Sequence, residues 1–221
     1  MWAQIAKDED ARAVVLPAAG RAFSAGGDLD SFLQDQVDLE HRRCSIRNAR
    51  RLATEVIGFH LPVVTAVNGL AVGLGCNLAI LGDVVLMAES AYLADTHVAA
   101  WLVAGDGGAA FWPVYTVILK ARELVFFGDK LSRAEAVSIG LATRVVPDAD
   151  LRGEAIKVAE RFAALPQRAM QDTKCAFNIH LAKTLDVMDS ALEAGPDHGA
   201  VAAAGVRADV RNPGRRPQGA A

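Results

Sequence analysis

Two short β-branched apolar runs each break into a glycine-rich loop, and this arrangement limits the possible folds more than any other feature of the chain. Residues 12–16 (RAVVL) lead into a loop at 17–30 with glycines at 20, 26 and 27. Residues 63–67 (VVTAV) lead into a turn at 68–75 with glycines at 69, 73 and 75. Unbroken apolar runs of this length mark strands covered on both faces, as in parallel sheets. The second loop feeds a short helical stretch at 76–81. Strand-like runs at 83–88, 91–94 and 142–146, and a helical period over about 38–59, extend the alternation. A third glycine cluster at 105–108 opens a helical stretch with Pro113 in an early turn. Ser132 and Glu135 match a capping box ahead of another short helix. Amphipathic helices are predicted at about 149–164 and 167–194. The expectation is a parallel, right-handed βα architecture with a helical C-terminal region. Such folds bind ligands at the C-terminal ends of strands, beside helix N-termini. Both early glycine loops lie there.

Composition removes several function classes. Apolar residues make up 52% of the 221, enough for a full core. With 23 Lys and Arg against 26 Asp and Glu, the net charge of -3 argues against a nucleic-acid partner. Cys44, Cys76 and Cys175 are widely spaced. They form neither a disulfide framework nor a zinc cluster, and a reducing, cytoplasmic setting fits them best. The N-terminus lacks the pattern of a signal peptide. The apolar stretches are interrupted before the ~20 residues that a membrane span needs. A disordered tail is expected over 195–221, where the helical pattern fails.

Glycine lets backbone approach a ligand closely. A loop feeding a helix start also offers unpaired N–H groups to negative charge. Two such loops can aim one N–H each at a single carbonyl oxygen, making a backbone oxyanion hole. The alternative is that they are only tight turns. A dinucleotide fingerprint is rejected, because its third glycine would fall at Leu78, and no Gly-Lys-Ser/Thr of a phosphate-binding P-loop occurs.

The wording of the loops narrows this further. Residues 21–29 (RAFSAGGDL) and 67–79 (VNGLAVGLGCNLA) resemble the crotonase superfamily, the enoyl-CoA hydratase/isomerase family. The resemblance continues through 83–89 (DVVLMAE), 94–97 (ADTH), 104–108 (AGDGG), 128–136 (GDKLSRAEA) and 140–146 (GLATRVV). It covers about residues 2–194, in family order and spacing. It implies an α/β fold, a crotonase-like spiral of ββα units with a C-terminal helical region. It implies acyl-CoA thioester substrates, with coenzyme A part of the substrate and no separate metal or redox cofactor. It also implies a homotrimer or dimer of trimers. The divisions it suggests are a core at 1–147, a helical trimerisation region at 148–194 and a tail at 195–221. The family's oxyanion donors fall on the N–H groups of Gly27 and Leu74, and its adenine contact on the carbonyl of Ala25.

The departures carry as much information. The two glutamates of a family hydratase map to Asn77 and His97. An amide has no useful pKa and cannot serve as a general base. Asn77 is left to orient a water or a carbonyl. His97 has two readings, an acid/base titrating near neutrality or a hydrogen-bonded structural histidine. Asp106 is the nearby carboxylate and is expected close to His97; it also has two readings, proton carrier or helix N-cap. Cys76 reads as a packing residue. The family's first strand has no counterpart, since the chain begins within the helix that follows it. Two functions stay open: an acyl-CoA lyase or isomerase, or an acyl-CoA-binding or scaffold homologue without turnover.

Overall fold

The computed structural model describes residues 1–35 and 37–194; the tail expected at 195–221 lies outside them. The chain runs α1 (Trp2–Ile5), β1 (Val14–Leu16), β2 (Ala22–Ser24), α2 (Leu29–Asp35), α3 (Leu39–Ile57), β3 (Val63–Val67), β4 (Leu70–Val72) and α4 (Leu74–Ile80). It continues with β5 (Val84–Ala88), β6 (Tyr92–Ala94), α5 (Gly108–Tyr115), α6 (Ile118–Phe127), β7 (Leu131–Ser132), α7 (Arg133–Ser138) and β8 (Arg144–Val146). Helices α8 (Leu151–Ala163), α9 (Gln167–Ala182) and α10 (Leu185–Ala194) close it.

The strands form two four-stranded sheets. One is wholly parallel, in the order β1-β3-β5-β8. The other has the order β2-β4-β6-β7, parallel except for the β6–β7 pair. The first three turns of the chain each lay one strand in the first sheet, bend, and lay the next in the second; the last reverses the order, β7 joining the second sheet before β8 joins the first. Repeating this step stacks the turns into a spiral. The bends touch: Asn68 Nδ2 donates to the Gly20 carbonyl at 2.8 Å. A side chain at Gly69 would overlap the Arg21 carbonyl, so only glycine lets the second turn settle on the first.

Burial explains the first sheet. All five residues of β3 are buried, and α8 covers the β1, β3 and β5 strands. The parallel strands expected from the apolar runs, and the ββα units that the family resemblance implies, are the ones observed. The capping box of α7 is also present, with Ser132 Oγ accepting the Glu135 N–H.

The structure corrects three expectations. The helix predicted over 167–194 is two helices, broken at Lys183 and Thr184. The Thr184 hydroxyl donates to the Leu181 carbonyl, and the Thr184 carbonyl accepts from Val187 and Met188. The chain is thereby turned so that α10 packs on α3 and α5. Pro113 stands late in α5 rather than in an early turn, and that helix ends two residues on. The loops at 17–30 and 68–75 contain the three-residue strands β2 and β4, too short for a period-2 signal.

A half-buried ion pair, with Lys174 buried and Asp83 reaching solvent, ties α9 to the first sheet. Lys174 Nζ meets Asp83 Oδ2 at 2.6 Å and the Leu61 carbonyl at 2.8 Å. Asp83 Oδ2 also accepts the Val63 N–H at 2.7 Å, which ties the pair to the start of β3.

Candidate active site

Strands β2, β4 and β6 run parallel, so their C-terminal ends meet on one side of the second sheet. Glycines bring these ends into contact. Gly26 has φ +96, and a Cβ there would stand 2.8 Å from the Val72 carbonyl oxygen. A side chain at Gly75 would overlap Ser24. Gly73, at φ +54, precedes α4 and donates its N–H to the Ala94 carbonyl at 2.9 Å. Gly27 and Leu74 follow directly on these contacts. Leu74 is the first residue of α4, so its N–H lacks an intrahelical partner. Ala25 is exposed between Ser24 and Gly26.

Past β6 the chain turns at Asp95-Thr96-His97. The His97 ring lies on Gly73, with Cε1 3.2 Å from where a Cβ would stand. Five polar side chains from three parts of the chain form one connected line. Asp95 Oδ1 sits 2.6 Å from His97 Nδ1 and accepts the His97 main-chain N–H at 3.2 Å. His97 Nε2 is 3.1 Å from Asp106 Oδ2. Asn77 Nδ2 donates to Asp106 Oδ1 at 2.8 Å. The Trp112 indole N–H donates to Asn77 Oδ1 at 2.9 Å. An indole only donates, so it fixes which way the Asn77 amide points.

His97 is therefore flanked by two carboxylates, both acceptors. Burial, the largest single influence, pulls its pKa down. Hydrogen bonds and charge from Asp106 and Asp95 together outweigh it and raise the imidazole to about 10. Both carboxylates favour the protonated ring, in which each N–H has an acceptor within reach. Of the two readings of His97, this geometry is that of a hydrogen-bonded histidine, with a carboxylate against each ring nitrogen. Asp106 does not cap α5, because the N-cap is Gly107 and no side chain bonds to that helix start. The carboxylate turns instead toward His97 and Asn77. The Asn77 oxygen accepts from Trp112 and its amide nitrogen donates to Asp106, so both ends of the side chain are held in place. Burial pushes the Cys76 thiol well above its usual range, which fits a packing role.

Asp95 and Trp112 escaped the sequence reading. The Asp-Thr-His spacing was a usable signal for Asp95, since an acidic residue two before a histidine can reach its Nδ1. No sequence signal linked Trp112 to Asn77. Among the described residues, no group of three or more His, Cys, Asp and Glu side chains is arranged to hold a metal ion. None of their helices is long and apolar enough to cross a membrane. A groove of about 950 Å³, lined in part by Leu81, Tyr115, Met170, Lys174 and Phe177, shares no residue with the histidine–carboxylate line.

A family model described as enoyl-CoA hydratase/isomerase matches residues 2–196. A probable enoyl-CoA hydratase of Rhodobacter capsulatus is 34% identical over 176 residues, which is 80% of this chain and 68% of that protein. The crystal structure of an enoyl-CoA hydratase/isomerase from Mycobacterium paratuberculosis superposes with a TM-score of 0.87 at 42% identity, covering 96% of this chain and 84% of the other. A β-diketone hydrolase from the cyanobacterium Anabaena sp. PCC 7120, bound to (S)-3-oxocyclohexyl acetic acid, gives a TM-score of 0.77 at 26% identity, covering 96% and 81%. The chain spans 59% to 68% of the length of five curated relatives that it matches.

Proposed function

Because the chain belongs to the enoyl-CoA hydratase/isomerase family, we propose that it binds an acyl-CoA thioester and moves a proton at the carbon beside the thioester carbonyl. The thioester oxygen sits between the N–H groups of Gly27 and Leu74. Negative charge grows on that oxygen as the enolate forms, and the two donors and the start of α4 favour it there. The Ala25 carbonyl accepts the adenine amino group of coenzyme A. Asp106 is the catalytic base and then the acid. His97 and Asn77 hold one donor against each of its oxygens, which leaves the remaining lone pairs to meet substrate. The chemistry draws only on these groups, with coenzyme A part of the substrate.

The observation that carries this reading is the pair of hydrogen bonds from Asn77 and His97 Nε2 that aims Asp106, together with the Asp95 carboxylate that engages the other nitrogen of His97. A double-bond shift needs one group that takes a proton and returns it, so isomerisation suits a single carboxylate better than hydration by a glutamate pair. The test is a panel of enoyl-CoA esters followed by mass spectrometry and chromatography. Isomerisation leaves the mass unchanged and moves the retention time; hydration adds one water. Asp106→Asn should lower turnover about 10²- to 10⁴-fold while acyl-CoA binding is retained. Unchanged turnover in that variant overturns the assignment. Binding of acyl-CoA with no product in any arm supports the scaffold alternative.

The likeness to the β-diketone hydrolase supports a second reading, hydrolysis of a β-dicarbonyl compound. Asp106 would then deprotonate a water that attacks one ketone, and the departing carbon would leave as an enolate held by the same N–H groups. A β-dicarbonyl substrate in the same assay distinguishes it by a product carrying one added water and a cleaved carbon–carbon bond. Val117, Leu119, Phe126 and Phe127, all strongly exposed at and along α6, support the association into trimers that the family resemblance implies.

A further inference from the structure

Asp95 is the most completely buried carboxylate of the site, at 0% exposure. Its two oxygens behave differently. Oδ1 accepts both the main-chain N–H and the Nδ1 of His97, at 3.2 and 2.6 Å. Oδ2 is buried with no hydrogen-bond partner. An unpartnered carboxylate oxygen in the interior is costly. The chain also makes room for it, since a side chain at Gly108, the first residue of α5, would overlap Oδ2. A purely structural contact at this place would be met more cheaply by an apolar or amide side chain.

We propose that Asp95 is the positioning residue of this site, holding His97 so that a fixed N–H, rather than a bare nitrogen, faces Asp106. The inference deepens the proton-transfer reading and rests on it for its consequence in turnover. With an anion on Nδ1, the ring keeps both protons, and Nε2–H occupies Asp106 Oδ2. Without that anion the ring gives up a proton at lower pH. The imidazole then donates Nδ1–H to a neutral partner and turns a lone pair toward Asp106. The carboxylate loses its donor and its aim.

The charged groups facing the ring are Asp95 and Asp106. From α4 the neighbouring titratable group is Cys76, kept neutral by burial. On α5 it is Tyr115, kept neutral chiefly by burial, with the charge of Asp83 acting in the same direction. On α6, Lys120 pairs with Glu123 at 2.8 Å and Arg122 is exposed.

The test is the titration of the His97 imidazole by nitrogen-15 NMR, in the wild-type protein and in Asp95→Asn, with circular dichroism to establish folding. In the wild type both ring nitrogens should remain protonated through pH 8. In D95N the midpoint should fall by about one to three pH units. Any enoyl-CoA turnover should gain an alkaline loss in kcat displaced by the same amount, with KM little changed. Gly108→Ala, which crowds Oδ2 without removing charge, should lower the midpoint in the same direction and serves if D95N does not fold. A wild-type His97 that is singly protonated at pH 7 overturns the proposal. So does a folded D95N, or a folded G108A in its place, with an unchanged titration. The NMR arm stands without turnover: an enzyme reading that fails on every substrate leaves this result intact, and a titration that fails overturns the role of Asp95 while the turnover of Asp106→Asn decides the carrier separately.

Discussion

At the scale of single residues, the site turns on how two carboxylates treat one imidazole. The sign of the linkage follows from the direction of the His97 shift. The folded protein binds the proton up to about pH 10, whereas an unfolded histidine releases it near 6.5. The stabilisation is therefore fully present below pH 6.5 and is lost as the pH rises from 6.5 to 10. Urea unfolding across that window should show stability falling by at most about 1.4 kcal/mol per pH unit from this one proton. His97→Gln should flatten that slope, and an equal slope in the variant would contradict the assignment. The residue types at 77 and 97 were legible as departures from a glutamate pair, and Asp106 as the carboxylate near them. Their roles were not, because roles depend on partners. Asp106 lies nine residues beyond His97 and reads as a helix cap between glycines until its oxygens are seen against Asn77 and His97. The charge on His97 depends on Asp95, a residue that a strand-end position leaves unremarkable.

At the scale of elements, the site is a consequence of how closely three strand ends approach. Gly26→Ala would place a Cβ against the Val72 carbonyl and force a residue with a side chain into φ +96. That substitution should cost about 1–3 kcal/mol of stability and weaken acyl-CoA binding by parting the loops that carry Gly27 and Leu74. Calorimetry on the folded variant checks both effects, and unchanged affinity would separate the loops from thioester binding. On the far side of the core, Lys174→Met leaves Asp83 without its cation. Asp83 still reaches water and keeps the Val63 N–H, while the buried Leu61 carbonyl loses its donor, so the cost should be about 1–2 kcal/mol by denaturant titration, whereas a surface pair such as Arg168–Asp172 should lose under about 1 kcal/mol. The strands were readable wherever β-branched residues run unbroken, as at 63–67. The break between α9 and α10 was not, since no glycine or proline marks it and only the hydrogen bonding at Thr184 reveals the stop.

At the scale of the whole molecule, a repeated step of strand, bend, strand stacks the turns so that their glycine ends collect on one side. That repetition is why widely separated glycine clusters were informative together: each is uninformative as a turn, and their common position after buried strands is not. Exposed Phe126 and Phe127 sit on the same surface helix, and sedimentation equilibrium should find three or six copies; a monomer at micromolar concentration would contradict the trimer. The account's central claim is that Asp106 takes a proton from the carbon beside a thioester whose oxygen is held by two loops. The most direct measurement is deuterium uptake at that carbon of a saturated acyl-CoA incubated with the protein in heavy water, followed by mass spectrometry. The account predicts steady uptake with the wild type and a loss of about 10²- to 10⁴-fold in Asp106→Asn. No uptake with the wild type, or equal uptake with the variant, would contradict it.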